Sequence, residues 1–140
     1  MDEEKSKCVM VIDAALPAGM AANTAAVLGV TLGQRHPELV GPPVTDGSGS
    51  VHGGIIRIPV PVLKGDAAAL RALREQLAAP EYAELEAVDF SDLAQSCRTY
   101  DEYLRRGARV REDALSYRGI AVFGDRKKIS RLTGSLPLLR

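Results

Sequence analysis

The chain has 140 residues, with 18 Lys and Arg against 18 Asp and Glu, so its formal net charge is zero. That length fits one domain of ~100–150 residues, able to bury roughly two-thirds of its unfolded surface without a metal or disulfide staple. A hydrophobic share of 46% excludes wholesale disorder, the charge balance excludes a uniformly basic nucleic-acid binder, and 4% aromatics with no Trp exclude a stacking platform for single strands.

Residues 1–6 read as a flexible acidic start, with the domain proper spanning 7–140. No basic segment followed by an apolar one opens the chain, so no secretory signal is expected. No apolar stretch reaches the ~18 residues of a transmembrane helix, so no membrane association is expected. Cys8 and Cys97 form no CxxC pair, and a reducing cytoplasm is the expected setting. Lys7 to Asp13 holds a continuous apolar run, the pattern of a strand buried on both faces, with Cys8 as a small buried hydrophobe.

Pro17 and Gly19 then punctuate the chain. Met20 to Leu32 favours helix, with small residues Ala18, Ala25, Gly29 and Gly33 along one stripe where a backbone can approach a sheet. His36-Pro37 ends that helix. Leu39 to Gly54 is turn-rich, and Asp46-Gly47 is a hairpin signal. Ile55 to Leu63 reads as an edge strand, because Pro59 and Pro61 lack backbone donors.

Asp66 is placed to cap a helix lined by Leu70, Leu73 and Leu77, which Pro80 ends. Leu85 to Phe90 reads as a strand, and Ser91-Asp92 as a helix start. Thr99 to Glu102 is a capping-box pattern opening a short helix that Gly107 closes. Tyr117 to Phe123 reads as the last strand. Asp125 caps a final helix over Arg126 to Leu132, and Gly134 stops it. Alternating strands and helices argue for an α/β layered fold with a small mixed sheet.

Two stretches together resemble the peptidyl-tRNA hydrolase II family. Lys7 to Ile12 followed by Met20 to Ala25 is similar to its first strand and helix. Gly119 to Gly124, Ile129 to Gly134 and Leu136 to Leu139 are similar to its last strand, last helix and tail. The chain resembles still more an uncharacterised sister family, a domain of unknown function assigned to the same fold. That likeness rests on the apolar first strand, Leu16-Pro17, Asn23, and Gly124 to Lys127 after the last strand. The resemblance implies a three-layer α/β/α sandwich on a four-stranded mixed sheet, and a homodimer.

The departures concern chemistry. The hydrolase family has a Lys-Gly-Lys segment at the start of the first helix, where this chain has Pro17-Ala-Gly19. The family's Gln and His positions hold Asn23 and Ala26. Its Asp-Ala-Gly-x-Thr-Gln loop has no counterpart between Arg109 and Arg118. Ester hydrolysis needs a proton carrier and charge for the oxyanion, and neither lysine stands at its matching position. The resemblance thus supports the fold and weakens the family reaction.

Candidate sites follow from residue chemistry and from that resemblance. The first-helix entrance offers free N–H groups and a field that favours anions. Gly19 permits close approach, and Asn23 and Thr24 are polar in an apolar helix. Asp13 ends the first strand nearby. A ligand contact and a satisfied polar pair at the helix–sheet edge both stay open there. The resemblance raises the ligand reading, since the hydrolase family's site lies at this entrance.

Asp46, Ser48, Ser50 and His52 hold the residue types of a hydrolytic triad, but neighbours in a hairpin rarely converge on one another. His52 remains a candidate base or a solvated loop histidine. Gly47-x-Gly49 lacks the third glycine spacing and the following helix of a dinucleotide fingerprint. Neither histidine has a metal-ligand spacing, so no metal or cofactor is expected. Arg126, Lys127 and Lys128 form a basic helix start that suits an anionic partner or plain solvation.

The expected function is a diverged hydrolase-like domain holding a small acyl, aminoacyl or nucleotide-like ligand at the first helix. The alternatives are a non-catalytic interaction or regulatory module, a residual aminoacyl- or peptidyl-tRNA hydrolase, and RNA binding by the basic end. Charge supports looking there: residues 1–97 carry 7 Lys and Arg against 13 Asp and Glu, and residues 98–140 carry 11 against 5. The two regions could equally neutralise one another.

Overall fold

An apolar run with no polar alternation needs cover on both faces. In the computed structural model, which describes residues 1–140, β1 (Ser6–Asp13) has that cover. Cys8, Met10 and Ile12 point to one side, into a cluster with Leu28 and Leu32 of α1 (Ala18–Arg35). Val9 and Val11 point to the other, among Leu70 and Leu73 of α2 (Ala67–Leu77) and Ile129 of α5 (Arg126–Thr133). One helix therefore covers one face of the sheet and two cover the other.

The remaining strands of the sheet are β4 (Val62–Gly65), β5 (Glu86–Ser91) and β6 (Tyr117–Asp125). The order is β4-β1-β6-β5. β1 runs parallel to β4 and antiparallel to β6, and β5 runs antiparallel to β6, so the four-stranded sheet is mixed. A separate hairpin joins β2 (Val44–Thr45) and β3 (Val51–His52). α3 (Asp92–Ser96) and α4 (Tyr100–Gly107) complete the set of five α-helices.

Local chemistry sets the helix ends. The carboxylate of Asp66 accepts the N–H of Ala69 at 2.8 Å, and that of Asp125 accepts the N–H of Lys128 at 3.0 Å. Ser91 and Thr99 cap α3 and α4 in the same way. Glu102 completes its box one residue early, accepting from Arg98 N–H rather than from Thr99. Gly134 follows α5 still in helical conformation, with φ −64°, and the position needs glycine because a Cβ would lie 2.6 Å from the Ser130 carbonyl oxygen.

Three expectations shift. α1 starts two residues before Met20 and runs three past Leu32, because nothing breaks it before His36-Pro37. The strand expected over Ile55 to Leu63 joins the sheet only from Val62. Pro59 and Pro61 cannot donate to a ladder, and Ile56 makes only a single bridge with Val40. The strand does lie at an edge, where the tail covers it: Lys64 N–H donates to Pro137 and Leu139 N–H to Val62. The hairpin forms, but with a longer loop than Asp46-Gly47 suggested, and the residue with positive φ is Gly49, at +86°.

Gly119 sets how closely α1 lies on the sheet. A Cβ there would stand 2.7 Å from Thr24 Cγ2 and 2.9 Å from Ile12 Cδ1. The small residue lets the buried row Thr24, Leu28 and Leu32 settle directly on β1 and β6. No helix is long and apolar enough to cross a membrane.

Candidate functional site

The entrance of α1 grows out of the end of β1. Asp13 is buried, and its Oδ1 accepts the N–H of Ala15 at 2.9 Å. Its carbonyl accepts the N–H of Leu16, and the resulting turn delivers Pro17 as the N-cap. Proline offers no capping side chain, and the first turn carries no acidic residue. The first intrahelical bond is Ala21 N–H to Pro17, so the N–H groups of Ala18, Gly19 and Met20 have no protein acceptor. A Cβ at Gly19 would meet nothing within 4 Å. Asn23, one turn on, is exposed.

Thr24 turns the other way. It is fully buried, and its hydroxyl donates to the carbonyl of Met20 at 2.8 Å while its methyl presses on Gly119. Gly19 and Asn23 thus share an outward face, Asp13 opens the turn that leads to them, and Thr24 belongs to the core.

His52 stands elsewhere. Leu39, in the turn before its hairpin, shares a core cluster with Leu32, which lies about 20 Å along α1 from Gly19 at 1.5 Å per residue. His52 Nε2 is 2.7 Å from Asp46 Oδ2, and Asp46 Oδ1 accepts from the N–H groups of Ser48 and Ser50. The bond from His52 and then those N–H groups hold the Asp46 carboxyl below the usual carboxylate range. Asp46 therefore spends its acceptors on stabilising its own loop.

Most of the basic cluster is paired inside the fold. Arg126 donates to the carbonyls of Glu4 and Ser6, tying down the start of β1. Lys128 Nζ binds the Glu81 carbonyl at 2.9 Å and the Glu84 carboxylate, and Arg131 lies 3.9 Å from Glu81. Lys127 alone has no partner. The acidic and basic regions of the chain thus neutralise one another in part across this contact. No three His, Cys, Asp or Glu side chains come close enough together to hold a metal ion.

A lateral cleft of about 400 Å³, which no single stretch of sequence announces, lies between α1, β5 and the α3–α4 link. Val27, Phe90, Cys97, Arg98, Tyr100 and Tyr103 contribute to its wall. The one signal available was Tyr100, Tyr103 and Leu104 at i, i+3 and i+4, an aromatic and apolar stripe on a strongly amphipathic helix, with Arg98 just upstream. Burial, and next the charge of Asp89, push the Tyr103 phenol above its ordinary value. An apolar pocket of about 170 Å³ lies under the open side of Gly29 and Gly33.

The fold is thus a mixed-sheet α/β domain with an uncapped helix entrance and a side cleft. The chain belongs to DUF2000, a family of proteins of unknown function, whose model matches residues 6–140. Among solved structures it is similar to a protein of unknown function, Atu0240, from Agrobacterium tumefaciens strain C58. The TM-score is 0.85 at 19% identity, covering 96% of this chain and 97% of that one. At that identity the likeness establishes the fold alone. No curated protein sequence matches significantly.

Proposed function

We propose that this chain is a diverged domain of the peptidyl-tRNA hydrolase II-like fold that binds a small acyl, aminoacyl or nucleotide-like ligand at the entrance of α1. The reading takes residues 7–140 as one domain working in the cytoplasm, where Cys8 and Cys97 stay reduced. One observation carries it: three N–H groups, at Ala18, Gly19 and Met20, start an 18-residue helix with no acceptor of the protein's own. A phosphate or ester oxygen fits such donors, and the helix field favours it.

Gly19 leaves the approach open, and the Asn23 amide can both donate and accept beside it. Asp13 supplies a carboxylate for a ligand hydroxyl or ammonium. Thr24 holds the helix on the sheet in this reading. Lys127 is the member of the basic cluster free to meet a more distant phosphate, and His52 is a further candidate on the hairpin. The lysines that serve hydrolysis in the resembled family are not matched, which favours binding over cleavage.

The test uses an N-acetylaminoacyl ester of adenosine monophosphate, titrated by NMR against the full chain. Gly19→Glu places a carboxylate over the free N–H groups and weakens binding about tenfold or more. Asn23→Ala weakens it by a smaller factor. Binding that both variants leave unchanged, or no binding at millimolar probe, refutes the reading. Ester cleavage by the wild type selects the residual hydrolase instead.

A second reading, an interaction module forming a homodimer, is favoured by the hairpin. Val44, Val51 and Ile55 are at least 62% exposed around it. Sedimentation showing a monomer at all concentrations removes this reading.

A further inference from the structure

The side cleft is built differently from the α1 entrance and begins at Val27, one turn beyond Asn23 on the same face of α1. Its volume of about 400 Å³ falls in the ~300–1,000 Å³ range of small-molecule sites. Val27 of α1, Phe90 of β5 and Tyr103 of α4 give it apolar walls. Tyr100 meets Tyr103 edge to face, with centroids 5.7 Å apart and planes at 87°, and forms an aromatic lip.

The cleft wall carries one charged residue of each sign, Asp89 and Arg98. Asp89 belongs to the wall, but its carboxylate lies 3.8 Å from Arg74 on the neighbouring helix. Arg106 donates to Glu102 at 3.1 Å and approaches Cys97 Sγ at 3.6 Å. Arg98 is exposed and belongs to the wall, and its side chain makes no hydrogen bond or ion pair; only its backbone N–H is engaged, by Glu102. A planar cation with five donors and no protein acceptor, beside apolar and aromatic walls, matches a carboxylate on a planar apolar body.

We infer that this cleft binds small aromatic carboxylates, with the ring against Tyr103, Val27 and Phe90 and the carboxylate on Arg98. The half-buried Cys97 in the same wall serves as the reporter, because the other thiol, Cys8, is fully buried.

The probe is 5,5′-dithiobis(2-nitrobenzoate), an aromatic disulfide with a carboxylate on each ring. The Cys97 thiol gives its proton to buffer, and the thiolate attacks one probe sulfur. The S–S bond breaks, a protein–thionitrobenzoate disulfide forms, and one coloured thionitrobenzoate leaves with the electron pair. Binding before reaction makes the rate on the native full chain saturate with probe concentration. The unreactive 4-nitrobenzoate slows it competitively, and about fivefold more effectively than uncharged nitrobenzene.

Arg98→Ala erases that preference, while Arg109→Ala, at an exposed arginine outside the cleft, preserves it. Tyr103→Leu weakens protection by both compounds. A rate linear in probe with no protection refutes the site. Protection equal for the two compounds, or unchanged in Arg98→Ala, refutes the assignment of the anion to Arg98.

Discussion

Gly119→Ala tests how the helical layer is seated on the sheet. The backbone does not object, since positive φ values occur only at Gly49 and Gly124. The added Cβ would meet Thr24 Cγ2 at 2.7 Å, Ile12 Cδ1 at 2.9 Å and Leu28 Cδ1 at 3.2 Å, all inside ordinary carbon contact. Overpacking of this kind costs ~1–3 kcal/mol. Removing a glycine from the unfolded ensemble returns ~0.4–1 kcal/mol. The net expectation is a loss of about 1–2 kcal/mol, or roughly 3–8 °C in Tm at this chain length.

Thr24→Ser removes the nearest methyl and by itself costs about 1 kcal/mol for the hollow it leaves. In that background the alanine fits, since Ile12 Cδ1 is the end of a flexible chain. The double-mutant cycle therefore shows a favourable coupling of about 1 kcal/mol. Urea unfolding followed by circular dichroism measures all four proteins. An alanine variant as stable as wild type, or an equal penalty in both backgrounds, refutes the close approach of α1 to β6.

Leu28, fully buried between α1 and the sheet, is expected to cost ~2–5 kcal/mol on truncation to Ala, read by the same urea melts. Asp66→Ala and Asp125→Ala each remove an N-cap, and each lowers stability by about 1 kcal/mol; replacement by Asn restores most of it. In the native chain 5,5′-dithiobis(2-nitrobenzoate) titrates one thiol, and in urea two, because burial pushes Cys8 up to about 11 as well as shielding it.

Acid is expected to weaken the end of α1. Burial tends to raise the Glu86 carboxyl, but hydrogen bonds and charge from Arg35 and His36 outweigh it and leave the value lowered. Its contribution is then fully present above the unfolded value of about 4.3 and is lost as pH falls through the lower folded value. Glu86→Gln flattens the stability profile below that pH, and an unchanged slope refutes the assignment.

Much of the molecule was legible because the interactions concerned are local. The caps at Asp66, Ser91, Thr99 and Asp125 bind an N–H three residues on, so residue type and spacing announce them. The run from Cys8 to Ile12 announces burial on both faces by having no polar alternation. The start of α1 was legible to within two residues, since Pro17 marks that end of a helix by its type alone. Thr24 was ambiguous, because its inward turn depends on the room left by Gly119, nearly a hundred residues away.

The basic stretch from Arg126 to Lys128 was readable as charge, but not as charge already engaged. Its partners, the carbonyls of Glu4, Ser6 and Glu81 and the carboxylate of Glu84, are distant in sequence. The cleft at Arg98 was hidden likewise, since its walls come from α1, β5 and α4. Sequence alone determined most of where the chain turns helical or extended, the span from Ile55 to Pro61 excepted, because that depends on neighbours within a turn or a pleat. Only the tertiary structure decided the strand order, the pairing of the charges and the shape of the cleft, because each is a meeting of surfaces that no local pattern encodes.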